Sequence, residues 1–284
     1  LSSPSVIDAI KEKLSALTED VERAFDGDVV GLFGPILGNV EQRVRRAVEQ
    51  IDPRRRKLVV ILQTPGGSIE VTERIVNTIR HHYPEVVFVI PDVALSAGTI
   101  LAMSGDAIFM DYFSCLGPID PQVERDGKLV PALSYLEQFE RLVARSQAGL
   151  LTTAEIALLN KLDLAELHTF EQQKELTTDL LVYWLTRYKF KDWVKTNTRG
   201  VPVTPEMREV RAREISESLN DHRRWRSHGR GISMKRVRDE LKLVVDDFGE
   251  RPEMARPVRA YFDFVINLML KEGMNTFVTS KAFV

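Results

Sequence analysis

The sequence predicts an α/β fold with helix-linked parallel strands, followed by a mainly helical C-terminal half. Three observations carry this. Apolar, β-branched-rich runs at 59–62 and 86–90 read as buried strands. Between them Ile69, Val71, Ile75, Val76 and Ile79 recur at helical spacing. Two small-residue turns, Thr64-Pro65-Gly66-Gly67-Ser68 and Leu95-Ser96-Ala97-Gly98-Thr99, each follow an apolar run and open a helix. In such a unit both turns lie at the carboxyl ends of strands, where α/β folds place their sites.

The other elements follow in order. Val6, Ile7, Ile10, Leu14, Leu17 and Val21 predict an amphipathic helix over 6–24. Asp26-Gly27-Asp28 is a turn before a first strand at 29–33, and a helix over 40–51 ends at Asp52-Pro53. A strand at 107–110 closes the second unit, 117–122 is a two-proline loop, and Asp126-Gly127 predicts a turn. Helices are then expected at 135–145, 153–162, 164–188, 205–220 and 234–242. The charged stretch 246–257, with two prolines, predicts a loop before a last helix over 258–271. The organisation is a core over 1–134 and a helical extension over 135–284 that completes the domain. An apolar stripe in the extension, Leu180, Leu181, Trp184 and Leu185, suits either a subunit interface or burial within one subunit.

The 284 residues are 44% hydrophobic, enough for a sizeable core. A net charge of −2 argues against a dedicated nucleic-acid binder, so none is expected as a partner. Basic clusters occur at 54–57 and 223–230; the second, with Trp225 and His228, also suits a polyanion. The single cysteine, Cys115, excludes an internal disulfide and reads as a small core residue. No run of about 18 apolar residues spans a membrane. The start, Leu1-Ser2-Ser3-Pro4-Ser5, lacks the charged and apolar regions of a signal peptide. A cytoplasmic location is expected; an anchor upstream of the sequence is invisible in it. Without a G-x-G-x-x-G helix opening, a P-loop, His-Glu-x-x-His or paired cysteines, no cofactor and no metal is expected.

The chemistry centres on the two turns. A Gly-Gly turn lets bare backbone approach a substrate. A serine opening a helix sets its hydroxyl among unpaired N–H groups. Each alone is ordinary, a turn or an N-cap. Together they offer a nucleophile and an oxyanion site, the minimum for acyl transfer.

Thr64-Pro65-Gly66-Gly67 and Ser96-Ala97-Gly98, at this separation, resemble the serine peptidases of the Clp/crotonase superfamily: the Clp protease proteolytic subunit and signal peptide peptidase A. Four further pieces are closer to the serine dehydrogenase proteinase family of the same superfamily. They are Gly117–Gln122 (GPIDPQ), 161–168 (KLDLAELH), 188–193 (YKFKDW) and 225–230 (WRSHGR). The resemblance implies a Clp/crotonase-like fold and a serine peptidase. Ser96 would be the nucleophile, with the amides of Gly67 and Ala97 as the oxyanion hole. It implies a peptide or protein substrate and a homo-oligomer. Two alternatives keep the fold: a crotonase-type acyl-CoA hydratase or isomerase, and a non-catalytic assembly module.

The general base is not announced. The Clp subunit has a histidine about two dozen residues after its serine; here that region reads Pro118-Ile119-Asp120-Pro121. Signal peptide peptidase A uses a lysine instead. A lysine acts as a base only when neutral, so burial or nearby cations must lower its pKa from about 10.4. Lys161, among Leu158, Leu159 and Leu162 ahead of the long helix, is the leading base, giving a Ser–Lys dyad. Lys174 lies among acidic and amide residues on a wet face. His168 and His228 are the alternative bases; Gly229 beside His228 permits close approach. Asp120 suits either an orienting role or a rigid loop.

Overall fold

A computed structural model of the chain describes residues 6–125, 128–196 and 200–283. The expected turn at Asp126-Gly127 and the first five residues lie outside them. The first half runs α1 (Val6–Phe25), β1 (Asp28–Phe33), α2 (Val40–Glu49), β2 (Lys57–Gln63), α3 (Ile69–His82), β3 (Glu85–Val89), β4 (Val93–Ala94), α4 (Ala97–Met103) and β5 (Ala107–Met110). Next come β6 (Cys115–Leu116), β7 (Gln122–Arg125), β8 (Lys128–Pro131), α5 (Ala132–Gln147), α6 (Thr153–Leu159) and α7 (Leu164–Trp184). A π-helical turn, Leu185–Lys189, extends α7. The chain ends with α8 (Pro205–Asn220), α9 (His222–Trp225), β9 (Ile232–Ser233), α10 (Met234–Asp239), β10 (Asp246–Asp247), α11 (Pro252–Glu272) and β11 (Phe277–Ser280).

The main sheet has the order β10-β5-β3-β2-β1-β11, parallel except for β11. Strand side chains alternate between two cores, as the period of two requires. Leu58, Val60 and Leu62 face the core built with α2, α3, α7 and α8. Val59 and Ile61 face the core built with α1 and α11. A sheet covered on both faces explains why its strands read as unbroken apolar runs. A second, small sheet has the order β4-β6-β9.

The expected α/β fold with a helical C-terminal region is present, and the departures from expectation have physical causes. The last helix starts at Pro252, not at 258, and continues through Pro257. Proline suits the first helical position, where its missing N–H has no partner to lose. Pro257 removes one donor, and burial of Ala255, Val258, Tyr261 and Val265 offsets that loss. The strands at β4, β6, β9 and β10 span two residues each, too few for a periodic signal. Phe277–Ser280 is a strand buried throughout, paired with β1. The helices begun at Thr153 and Met234 stop early, at Leu159 and Asp239. The stripe of Leu181, Trp184 and Leu185 is buried in the subunit's own core, with Leu180 packed against it. Cys115 is only half-buried. The 223–230 cluster is partly paired internally: Arg223 bonds Glu137, and Arg224 bonds Glu240. Arg224 and Arg236 also flank the Trp225 ring.

One ionic cluster ties α3 to the loop before β5 and to the turn after α7. Asp106 bonds Arg80 at 2.8 Å, the Val86 amide at 2.7 Å, and Lys191. Burial raises the Asp106 pKa, but the Lys191 hydrogen bond, the Val86 amide and Arg80 outweigh it and hold it below the usual carboxylate range. A depressed carboxylate contributes stability above its unfolded pKa and loses it as pH falls through the folded one. Asp106→Ala is therefore expected to lower the unfolding free energy by about 3–5 kcal/mol at neutral pH, measured by urea denaturation. The difference from the unaltered protein shrinks as acid protonates the carboxylate.

Candidate active site

The Thr64–Ser68 turn passes between two other segments of chain. On one side the Ile36 amide donates to Gly66 O at 2.8 Å, and the Ser68 amide donates to Ile36 O at 3.0 Å. On the other, the Thr64 amide donates to Val93 O and the Leu95 amide to Thr64 O. Thr64 Oγ1 accepts from the Gly66 amide at 3.0 Å and fixes the bend. There is no room for side chains here. A Cβ on Gly67 would lie 2.2 Å from Ile36 O, and one on Gly66 would lie 2.7 Å from Ser96 Cβ. The two glycines take φ of +152° and +105°.

Ser96 sits between β4 and α4 with φ +53° and ψ −121°, a region that costs a non-glycine residue about 1–3 kcal/mol. Its hydroxyl caps nothing and has no hydrogen-bond partner among the described residues. Gly98 is needed because a Cβ there would lie 2.3 Å from Thr64 Cγ2. Thr99 Oγ1 donates to Ala94 O and accepts from the Gly117 amide at 2.9 Å, fastening this turn to the next loop. Among the described residues the amides of Gly67 and Ala97 donate to no acceptor. Both border the Ser96 turn: a Cβ on Gly66 would stand 3.4 Å from Ala97 N.

The small sheet draws in two more residues. β4 and β6 run parallel, and β9 runs antiparallel to β6, pairing Leu116 with Ile232. Ser96 follows the end of β4, Asp120 lies four residues beyond Leu116, and His228 lies four before Ile232. All three are therefore at one end of this sheet. Asp120 is 1% exposed and His228 22%. His228 donates from Nδ1 to Asp120 Oδ1 at 2.9 Å, since a carboxylate only accepts. Gln122 Nε2 donates to the other oxygen at 2.6 Å. His228 Nε2 has no hydrogen-bond partner among the described residues.

The other expected bases stand apart. Lys161 is exposed in the turn after α6, a helix with no buried residue, and only its backbone makes a hydrogen bond. The apolar setting expected for it is only partial: Leu158 is 56% exposed, while Leu159 and Leu162 are half-buried. His168 is exposed on α7 and meets Glu171 at 3.6 Å. No contact joins either residue to Ser96 among the described residues. Burial, and then Asp92, push the Cys115 thiol pKa up, which disfavours a thiolate nucleophile. The sequence reading named Asp120 and His228 separately; their pairing, across 108 residues, had no local signal.

Serine-type peptidase is the class that the family comparison gives. The sequence model of the ClpP-like SDH-type serine proteinases matches residues 30–201, more than half of the chain. The chain belongs to this family, and its fold is ClpP-like. Among curated proteins, the uncharacterized protein MJ1495 of Methanocaldococcus jannaschii is 32% identical over 100 residues, 35% of this chain and 32% of that protein. The uncharacterized protein MJ0137 of the same organism is 31% identical over 117 residues, 39% of each. The chain thus matches well under half the length of these relatives. Two solved structures of a 1510-N membrane-bound stomatin-specific protease are also similar. A serine-to-alanine mutant is 20% identical with TM-score 0.33, covering 43% of this chain and 63% of that one. A lysine-to-alanine mutant in complex with a substrate peptide is 23% identical with TM-score 0.33, covering 43% and 59%. No helix among the described residues is long and apolar enough to cross a membrane.

The closeness of the Gly67 turn to Ile36 is testable without any substrate. Gly67→Ala is expected to destabilise the protein by more than about 1 kcal/mol in chemical denaturation, because a Cβ collides with backbone at a φ that only glycine takes readily.

Proposed function

We propose that the chain hydrolyses peptide bonds through an acyl-enzyme on Ser96, with His228 as general base and Asp120 as the group that orients it. The observation that carries this is the buried Asp120 carboxylate held on His228 Nδ1 at 2.9 Å, at the same end of the small sheet as Ser96. The expected Ser–Lys dyad has no comparable support, since Lys161 is exposed and its side chain has no hydrogen-bond partner among the described residues. That Ser96 and His228 are not yet bonded does not count against the assignment, because catalytic contacts commonly tighten only with substrate bound.

The proposed steps are those of a serine triad. His228 Nε2 takes the Ser96 proton as Oγ attacks the carbonyl carbon of the scissile bond. Asp120 stabilises the resulting imidazolium without taking the proton. The Gly67 and Ala97 amides, without acceptors among the described residues, receive the oxyanion; one such donor contributes roughly 2.7–4 kcal/mol to the transition state. The imidazolium then protonates the leaving amine. Water, activated by the same imidazole, releases the acyl group and restores Ser96. The strained Ser96 backbone holds the hydroxyl clear of the capping bond that its position would otherwise favour.

Fluorophosphonate labelling and peptide hydrolysis test this. Ser96→Ala is expected to abolish both. Asp120→Asn is expected to lower kcat by about 10⁴ and His228→Ala by about 10⁶, with the fold retained by circular dichroism. Lys161→Ala should leave the rate unchanged. If Lys161→Ala is dead while His228→Ala stays active, the dyad replaces the triad.

We also propose that the protein works as a homo-oligomer. Exposed Leu150, Ile156, Leu158 and Leu164 around α6, a helix with no buried residue, support a subunit contact there. Light scattering at working concentration should give a multiple of 32.3 kDa. Ile156→Glu with Leu158→Glu should shift the mass toward the monomer; a monomeric unaltered protein rejects the assembly.

A further inference from the structure

A cleft of about 810 Å³ is walled by α5, α7 and α8. Its lining carries seven carboxylates against two permanent cations, Lys174 and Arg213. Glu137 is already taken by Arg223 and His222. Glu140, Glu175, Asp179 and Glu217 pair with no cation among the described residues. Leu133 and Leu136, both largely buried, give the cleft an apolar floor.

A second observation is independent of the charge. Asn220 lines the same cleft and is 4% exposed. Its Nδ2 donates to Ser216 O at 3.1 Å. A carbonyl cannot donate, so this bond fixes the amide's orientation and leaves Oδ1 as an acceptor. That oxygen is buried and has no partner among the described residues. Buried acceptors are normally satisfied, so this one calls for an N–H or O–H donor at the cleft.

The walls are attached on both sides of Asp120. The Ile119 amide donates to Leu219 O, beside Asn220 at the end of α8, at 3.1 Å. The Ala132 amide, at the start of α5, donates to Pro121 O at 2.8 Å. The loop that carries Asp120 is therefore hydrogen-bonded to two walls of the cleft.

The geometry points to a subsite that binds Lys or Arg side chains of a peptide substrate. This rests on the peptidase reading of Ser96. An apolar floor below unpaired carboxylates matches a side chain with an apolar stem and a cationic tip. Arginine's several donors can serve carboxylates and an unpaired amide oxygen together.

Binding is measured on the full chain carrying Ser96→Ala, by fluorescence anisotropy, with an arginine-rich peptide and the same peptide with glutamine in place of arginine. The arginine peptide binds more tightly, and its affinity falls as salt rises. Glu175→Gln with Glu217→Gln, both on exposed wall positions, weakens it by about 2- to 30-fold, the range expected for two exposed ion pairs. The same double variant with Ser96 intact hydrolyses an uncharged peptide at the unaltered rate. Equal affinity for the two peptides, or no loss in the double variant, overturns the subsite. So does displacement of the peptide by Mg²⁺ or Ca²⁺ at equal ionic strength, which would mark an inorganic cation site. Charge-selective binding without any hydrolysis by the Ser96 protein would keep the subsite and remove the peptidase reading. Hydrolysis without charge selectivity would do the reverse.

Discussion

The close approach of three backbone segments around residues 64–67 is the constraint on which the site depends. The turn after β2 is hydrogen-bonded to Ile36 on one side and to 93–95 on the other. No side chain fits at Gly66, Gly67 or Gly98 without meeting Ile36, Ser96 or Thr64. Two consequences follow from the same contact. The Gly67 amide has no acceptor among the described residues, and the Ser96 turn is pressed into a positive φ that a free loop would relax. The sheet beneath, buried on both faces, is what resists that relaxation.

Asp120 shows how a buried charge fixes geometry at a distance. A carboxylate 1% exposed must be hydrogen-bonded or neutralised. Here His228 serves one oxygen and Gln122 the other. The small β4-β6-β9 sheet supplies the register that makes this possible, although each strand is two residues long. A histidine from the helical half is thereby set beside the α/β core, at the candidate site. The main sheet shows the same dependence: β10 and β11, its two edges, both come from the end of the chain.

Charge is handled in two ways in the helical half. Arg223 and Arg224, beside Trp225, are paired with Glu137 and Glu240, and Arg224 also stacks on the indole. The acidic residues along α5, α7 and α8 are left unbalanced around one cleft. With a net charge of only −2, this local excess reflects placement rather than composition. It separates the part of the surface suited to a cationic ligand from the part closed off by internal pairing.

Local pattern alone determined the α/β class, the strands at β1, β2, β3 and β5, the helices between them, and the two turns. Each is carried by neighbouring residues: apolar runs for strands buried on both faces, a helical period, and glycines where the chain has no room for a Cβ. The family resemblance rested on these same short motifs. The edge strand Phe277–Ser280, the helix running through Pro257 and the two-residue strands were decided by tertiary packing, because their stability comes from partners far along the chain. The same holds for the site. Ser96 and Gly67 were legible because their turns are local. The Asp120–His228 pair was not, because it spans 108 residues and is made by strand register. Lys161 lies among leucines in the sequence, yet it is itself exposed, Leu158 beside it is 56% exposed, and only Leu162 packs on the cluster between α5 and α7. Apolar neighbours in sequence do not fix which side of a short helix meets the core.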